Sequence, residues 1–509
     1  MKKKDLVNNT LLSFSSEIIP LIIAVFAVPP IIHGLGTARF GILSLAWIFI
    51  WYFGVFDFGL SRATTKYVSE AIGYDQKIRI PQLVWTAILA QSAISVLGIV
   101  ILTAATPVIV NYLLKIPHNL LQETTSTFYA IAFMIPAVMV SITLKGVLEA
   151  AQRFDLVAYV KIPANLSTYI LSLIGVYYGL SLPGIVALLL LSRCLLLLAY
   201  LALVIHIFPG IIKSASFHFG ILRSYLGFGG WVTISNAAGT IFGYLERFLI
   251  TYYLSVSALA YYAAPADMIS RLVIIPMSMA TVLFPAFSNV GMADRTKTAE
   301  MISRPIKYLL LTMTPITVTL VAFAHPILLT WLGTEFARIS TLPFQILVVS
   351  ILLNSFAIIP FTTIQGLGKP EYKARLDLVE LPVYVALNVL LIPAYGIAGA
   401  ALAKFIITVI DFLALFVIAK YVAKLFLFEM FPPKLCRGLV ISILYIAGAI
   451  FLMIFPKPLL VDIIVFGALS ITYIALFFVS AMDNIDWSAV DSLFRPYLKR
   501  ILTARSIRD

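Results

Sequence analysis

The chain has 509 residues, 61% of them hydrophobic and only 12% charged, and its mean hydropathy of +1.02 excludes a water-soluble core with a solvated surface. Two cysteines cannot build a disulfide framework, and five scattered histidines lack metal-ligand spacing, so neither a disulfide scaffold nor a metal centre is expected. The net charge of +13 raises the question of an anionic partner, and the positions of the cations answer it.

In chain order, about fourteen apolar stretches are long enough to cross a bilayer, which takes about 20 residues. They cover residues 10–32, 40–61, 81–109, 125–148, 157–179, 182–208 and 227–254, then 258–288, 306–329, 342–365, 377–395, 397–419, 438–456 and 459–482. The first follows Lys2, Lys3 and Lys4 in the manner of a signal peptide. Glu17, Pro20 and the Pro29-Pro30 pair interrupt the run and no small-residue cleavage site follows, so it reads as a retained span. Outer connectors such as 178–183 and 254–257 are a handful of residues, and the largest, about 110–124, leaves no room for a soluble catalytic domain.

Lysine and arginine fall on every second connector. With the amino terminus in the cytoplasm, 28 of the 36 cations lie on that side. Four (Arg39, Lys115, Arg338 and Lys457) lie outside, and four (Arg193, Arg247, Arg271 and Lys404) lie within spans. This bias predicts a multi-pass protein of the cell (inner, cytoplasmic) membrane with both termini cytoplasmic. Basic loops facing anionic lipid account for the net charge, so no nucleic-acid partner is expected.

Two cytoplasmic segments resemble each other: Gly146–Asp155 (GVLEAAQRFD) before the fifth span and Ile364–Glu371 (IQGLGKPE) before the eleventh. Each precedes a span that ends in a short turn, Tyr178-Gly179 with Gly184 and Tyr395-Gly396 with Gly399. The offset of about 216 residues equals six spans, an even number, so the halves enter the membrane in the same orientation. The predicted fold is therefore an all-α polytopic membrane protein of about fourteen transmembrane helices. Its two six-helix lobes form a parallel pseudo-two-fold repeat over residues 1–210 and 211–424, joined by an added pair at 425–482 and an amphipathic cytoplasmic tail at 483–509. Lobes of this kind are the usual basis of alternating access.

A charged side chain at the bilayer centre costs about 2.5–3.5 kcal/mol on insertion scales, so those retained should line a cavity or pair. They are Glu17 in the first span, Asp57 and Arg62 at the end of the second, Arg193 in the sixth and Glu246 and Arg247 in the seventh. Asp267 and Arg271 follow in the eighth, and Lys404 and Asp411 in the twelfth. Asp267 and Arg271, four apart on one helix, are placed to neutralise each other. Arg247, whose neighbour Glu246 points about 100° away, is expected to keep spare positive charge. An arginine in a cavity suits phosphate or diphosphate, because its planar fork gives bidentate, charge-assisted hydrogen bonds. Glu17, Asp57, Glu246 and Asp267 are the cavity acids that a coupling ion would use, although Asp57 equally suits a turn cap. No cofactor is expected beyond a coupled proton or sodium ion.

His33 and His325 read as interfacial or packing histidines. Pro20, Pro29 and Pro30 in the first span and Pro265, Pro276 and Pro285 in the overlong eighth predict kinks. From Asn484 onward, Trp487, Val490, Phe494, Tyr497, Leu498 and Ile501 fall near one helical face, which fits a helix on the cytoplasmic leaflet or one docked on the protein's own bundle.

The segments Pro30–Gly36 (PIIHGLG), Arg39–Gly41 (RFG) and Phe56–Tyr67 (FDFGLSRATTKY), with Glu70, resemble the amino-terminal signature of the polysaccharide transporter family. That family includes flippases for O-antigen and other lipid-linked oligosaccharides, within the multidrug, oligosaccharidyl-lipid and polysaccharide exporters. The 152–155 loop and its 366–370 counterpart are similar to the family's cytoplasmic loops. The resemblance implies two six-helix lobes around a partly cationic central cavity and a polyprenyl-diphosphate-linked glycan as substrate. It also implies membrane lipids around the protein, and a glycan polymerase and glycosyltransferases in its pathway. Only the Asp57–Arg62 stretch carries over by motif. Arg247, Arg271, Arg193 and Lys404 are proposed from the cost of buried charge.

Two other readings stand beside this one. A multidrug/cation antiporter of the same architecture would want an acidic cavity, and the buried cations oppose it. An integral membrane glycan polymerase or ligase would need a large outer loop, and every outer loop is short.

Overall fold

A computed structural model describes residues 3–53, 57–214, 216–290, 295–455, 458–483 and 486–487. Sixteen α-helices carry these residues, and no strand occurs among them. They are α1 Lys3–Phe53, α2 Leu60–Gly73, α3 Ile80–Val108, α4 Leu121–Ala150, α5 Phe154–Tyr177, α6 Leu182–Ile207, α7 Phe219–Tyr253 and α8 Val256–Ser270. The second half comprises α9 Ile274–Val290, α10 Arg295–Ala322, α11 Ala324–Leu332, α12 Thr334–Gly366, α13 Glu371–Ala423, α14 Leu427–Met430, α15 Pro433–Ile454 and α16 Leu459–Ala481.

Eleven of the described helical stretches are long and apolar enough to cross a membrane. At 51 and 53 residues, α1 and α13 are about 75–80 Å of helix, more than twice the roughly 30 Å hydrocarbon core. Each is interrupted by a glycine in a conformation other side chains avoid, Gly36 (φ 75°, ψ 164°) and Gly396 (φ 60°, ψ −140°). Their arms take the places of the first, second, eleventh and twelfth predicted spans, and α7 that of the seventh, so the helix order agrees with fourteen passes. The overlong eighth span is α8 and α9, separated by a tight turn over Arg271–Val273. Pro276 explains the position of the break, since its missing N–H would otherwise bond the carbonyl of residue 272.

The repeat is visible in the backbone. After α4, the N–H of Arg153 returns to the carbonyl of Leu148 and that of Gln152 to Glu149; after α12, Lys369 returns to Ile364 and Gly368 to Gln365. Both turns pass through a left-handed residue 216 positions apart, Gln152 (φ 59°) and Gly368 (φ 75°). The 5→2 and 6→1 pattern satisfies carbonyls that the helix end would leave bare. Two six-span repeats followed by a helix pair thus describe the order of elements.

The chain packs as two compact units. The first comprises Met1–Arg271, Leu328–Pro343 and Asp377–Ala403, the second Leu272–Ile327, Phe344–Leu376 and Lys404–Asp509. In the first, amphipathic α2 buries Leu60, Ala63, Thr64, Val68 and Ala71 at helical spacing, beside Val84, Leu144 and Tyr225. Tyr225 stacks on Tyr67 and donates its hydroxyl proton to the Leu83 carbonyl at 3.1 Å. Gly41 of α1 lies so close to α8 that a Cβ there would sit 1.9 Å from the Val256 carbonyl oxygen. Such approach through small residues is how helices gain contact in lipid, where burial of apolar surface alone drives little association.

In the second unit, Tyr473 of α16 donates to the Leu310 carbonyl at 2.8 Å and stacks on Tyr445. Buried Lys307 on α10 is held by Asp483, at 3.2 Å, and Asp486, whose other oxygen accepts from Tyr308 at 2.6 Å. Burial opposes charge on Asp483, but the backbone N–H of Asp486 and the Lys307 ammonium outweigh it and hold its carboxyl down at about 2. Trp487 leans on Phe478, so Asp483, Asp486 and Trp487 meet the bundle; the rest of the predicted tail helix lies outside the described residues.

Candidate functional site

Three neighbouring helices of the first repeat turn polar faces toward one cavity of about 190 Å³. From α4 come Ser141 and Lys145, from α5 Lys161, Asn165, Thr168 and Tyr169, and from α6 Arg193 and Tyr200, with Pro20 of α1 and Arg271 completing the wall. Among the described residues, four of the lining side chains are cations and none is a carboxylate. Arg193 lies 11 residues from one end of α6 and 14 from the other, roughly 16 and 21 Å along the axis, so it stands near mid-membrane. Lys145 and Lys161 sit within about 11 Å of the facing ends of α4 and α5, so positive charge is graded from that entrance to the middle.

Hydrogen bonds fix the two arginines. Arg193 donates from Nη2 to Thr168 Oγ1 at 2.9 Å, while its buried Nε has no hydrogen-bond partner. Arg271 donates from Nη2 to the Tyr169 hydroxyl at 3.3 Å, and the Tyr169 ring is held edge-on by Trp47, centroids 5.3 Å apart. Lys145 is paired with Glu149 one turn on, at 3.2 Å, on a half-exposed stretch. A hydroxyl oxygen that accepts from a guanidinium orients it without neutralising its charge.

A second polar group surrounds α7. Arg247, its side chain 7% exposed, binds Asp267 Oδ1 at 2.5 Å and lies 5.3 Å from the Tyr244 ring. Beside it, buried Glu246 accepts from the Tyr384 hydroxyl at 2.8 Å. Asp267 on the neighbouring helix thus pairs with Arg247. This corrects the expectation that Arg247 keeps spare positive charge, since its partner comes from another helix and not from its own.

The remaining predicted residues lie elsewhere. Asp57 is 4% exposed and accepts from Gly59 N at 2.7 Å, Ser61 N at 3.2 Å and the Ser61 hydroxyl, so its carboxylate caps the turn into α2. Arg62 is exposed on α2 and outside the cavity wall. Lys404 lies on α13 and is not a lining residue. The side chain of Glu17 lies outside the described residues.

Of the predicted substrate residues, the structure brings Arg193 and Arg271 into the cavity. Sequence reasoning missed Lys145 and Lys161, which it assigned to cytoplasmic connectors, and the polar stripe of α5. A signal for the stripe was present: Lys161, Asn165, Thr168, Tyr169 and Ser172 recur at i, i+4, i+7, i+8 and i+11, one helical face of an otherwise apolar span.

The fold and site define a multi-pass, all-helical membrane protein with a cationic cavity of about 190 Å³ between its helices. The sequence profile of the family described as polysaccharide biosynthesis protein matches residues 6–290, more than half of the chain, and the chain belongs to that family. A putative O-antigen transporter of Shigella flexneri is 27% identical over 411 residues, 81% of this chain and 97% of that one. A probable low-salt glycan biosynthesis flippase, Agl15 of Haloferax volcanii, is 24% identical over 230 residues, 45% of this chain and 48% of that one. Among solved structures, the lipid II flippase MurJ in an inward closed conformation shares the fold, with a TM-score of 0.68, 16% identity and coverage of 93% of this chain and 99% of that one. The two relatives carry the names of a transporter and a flippase.

Proposed function

We propose that the protein is a flippase that carries a polyprenyl-diphosphate-linked oligosaccharide, an O-antigen, capsule or exopolysaccharide repeat unit, from the cytoplasmic to the outer leaflet. The observation that carries the reading is the cavity wall of Lys145, Lys161, Arg193 and Arg271, with no lining carboxylate among the described residues. A diphosphate and its sugars cannot cross hydrocarbon unaided, whereas the lipid tail remains in it, so the protein need only offer a polar, positively charged path for the headgroup. The relatives named as an O-antigen transporter and a glycan biosynthesis flippase support the same substrate class.

In this reading the lobes 1–210 and 211–424 alternate access, and 425–482 and 483–509 are accessory. The protein sits in the inner membrane with both termini in the cytoplasm, as the cation bias requires. Its partners are membrane lipids and the glycosyltransferases and polymerase of one glycan pathway. An interior-negative potential drives an anion outward with about 2.3 kcal/mol per charge per 100 mV, and Glu17 or Glu246 would serve if an ion is coupled as well.

The test is glycan display in cells lacking the endogenous flippase. Arg193→Gln and Arg271→Gln, singly and together, are expected to abolish display at unchanged protein abundance. Full display by the double variant discards the reading. For coupling, Glu17→Gln should remove dependence on the proton or sodium gradient, and an unchanged dependence would count against it.

A further inference from the structure

Four cations gather around aromatic rings in the second unit, well apart in sequence from the transport cavity. Arg295 at the start of α10, Lys369 in the turn after α12, and Lys420 and Lys424 at the end of α13 line a groove of about 760 Å³ with Tyr421 and Phe426. Arg295 ties the groove together by donating to the carbonyl of Lys424, the left-handed residue (φ 54°) that closes α13, while its guanidinium lies 5.4 Å from the Phe426 ring. The nearby carboxylates are Glu429, 3.8 Å from Arg295, and Glu371, 3.7 Å from Lys369, both at the outer limit of an ion pair and neither a lining residue. Among the described residues, no carboxylate reaches ion-pair distance of Lys420 or Lys424. A helix C-terminus favours a cation or two, but not four around one opening.

The neighbours of these cations are apolar and turned outward: Val417, Tyr421 and Phe426 are 65%, 70% and 55% exposed. Charge beside an exposed aromatic wall at the end of membrane-spanning helices suits a ligand with a phosphate at one end and hydrocarbon at the other. A soluble phosphate would leave that wall unused. We infer that this groove binds the headgroup of an acidic phospholipid of the cytoplasmic leaflet, with an acyl chain along Val417 and Tyr421. The inference rests on the orientation proposed above and not on the identity of the transported glycan.

The experiment measures retention of dioleoyl phosphatidylglycerol by the purified full-length protein in detergent micelles. Dioleoyl phosphatidylcholine, glycerol phosphate and inorganic phosphate serve as comparison ligands. A surface lysine contributes about fivefold to binding of anionic lipid, so Lys369→Gln/Lys420→Gln/Lys424→Gln should weaken phosphatidylglycerol about a hundredfold. Arg437→Gln, a basic position outside the groove, should leave it unchanged, and phosphatidylcholine should be retained by neither protein. Equal retention by the triple variant and the wild type overturns the proposal. So does full competition by glycerol phosphate or inorganic phosphate, which would make this a soluble-anion site. An equal loss in Arg193→Gln/Arg271→Gln would place the lipid in the transport cavity and overturn it too. Since the readout is lipid retention, the outcome is independent of glycan display.

Discussion

Replacing Asp267 by Asn removes the counter-charge of a guanidinium that exposes only 7% of its side chain. Among the described residues, Asp267 is the one carboxylate in ion-pair contact with Arg247, and the Arg247 Nε has no hydrogen-bond partner. Breaking a buried ion pair costs about 3–5 kcal/mol, and because the Asp267 side chain is 40% exposed the low end applies, about 3 kcal/mol. In a chain of 509 residues that corresponds to a fall of about 3 °C in the unfolding temperature of the purified protein in detergent. Arg247→Met/Asp267→Asn removes both charges and should recover most of the loss. Unfolding of Asp267→Asn at the wild-type temperature, or a double variant no more stable than the single one, would refute this cost. Loss of display by a stably folded Arg247→Met/Asp267→Asn would put this pair in the transport path.

Lys307→Met leaves Asp486, whose side chain is fully buried, without its counter-ion and should cost about 3–5 kcal/mol in thermal unfolding. The Asp483 carboxyl is held down at about 2, so its pairing contributes in full above about pH 4, the ordinary carboxylate range, and is lost as pH falls through about 2. An acid titration of wild type against Asp483→Asn should show the two converge there. Gly41→Ala must push α1 from the Val256 carbonyl, at about 2–3 kcal/mol, read as lower yield and unfolding temperature. Asp57→Ala should cost about 1–2 kcal/mol through loss of the turn into α2 and leave any gradient dependence of transport unchanged.

Hydropathy is local along the chain, and so are glycine and proline, which is why the spans and their breaks could be read without coordinates. The predicted boundary between the eleventh and twelfth spans falls on Gly396, where α13 bends, and the loop likeness at a 216-residue offset reappears as two identical helix-ending turns at Gln152 and Gly368. The cost of buried charge likewise singled out Arg193 and Arg271 from sequence. What no sequence window contains is the rotation of one helix against the next. That rotation gave Arg247 its Asp267 partner and turned Lys145 and Lys161 toward the cavity that Arg193 lines, because electrostatic partnership is set by a few ångströms between chain-distant helices. The sequence by itself determined an all-helical, multi-pass chain and which of its charges need a reason; the tertiary structure alone decided which of those charges are neutralised and which face a cavity.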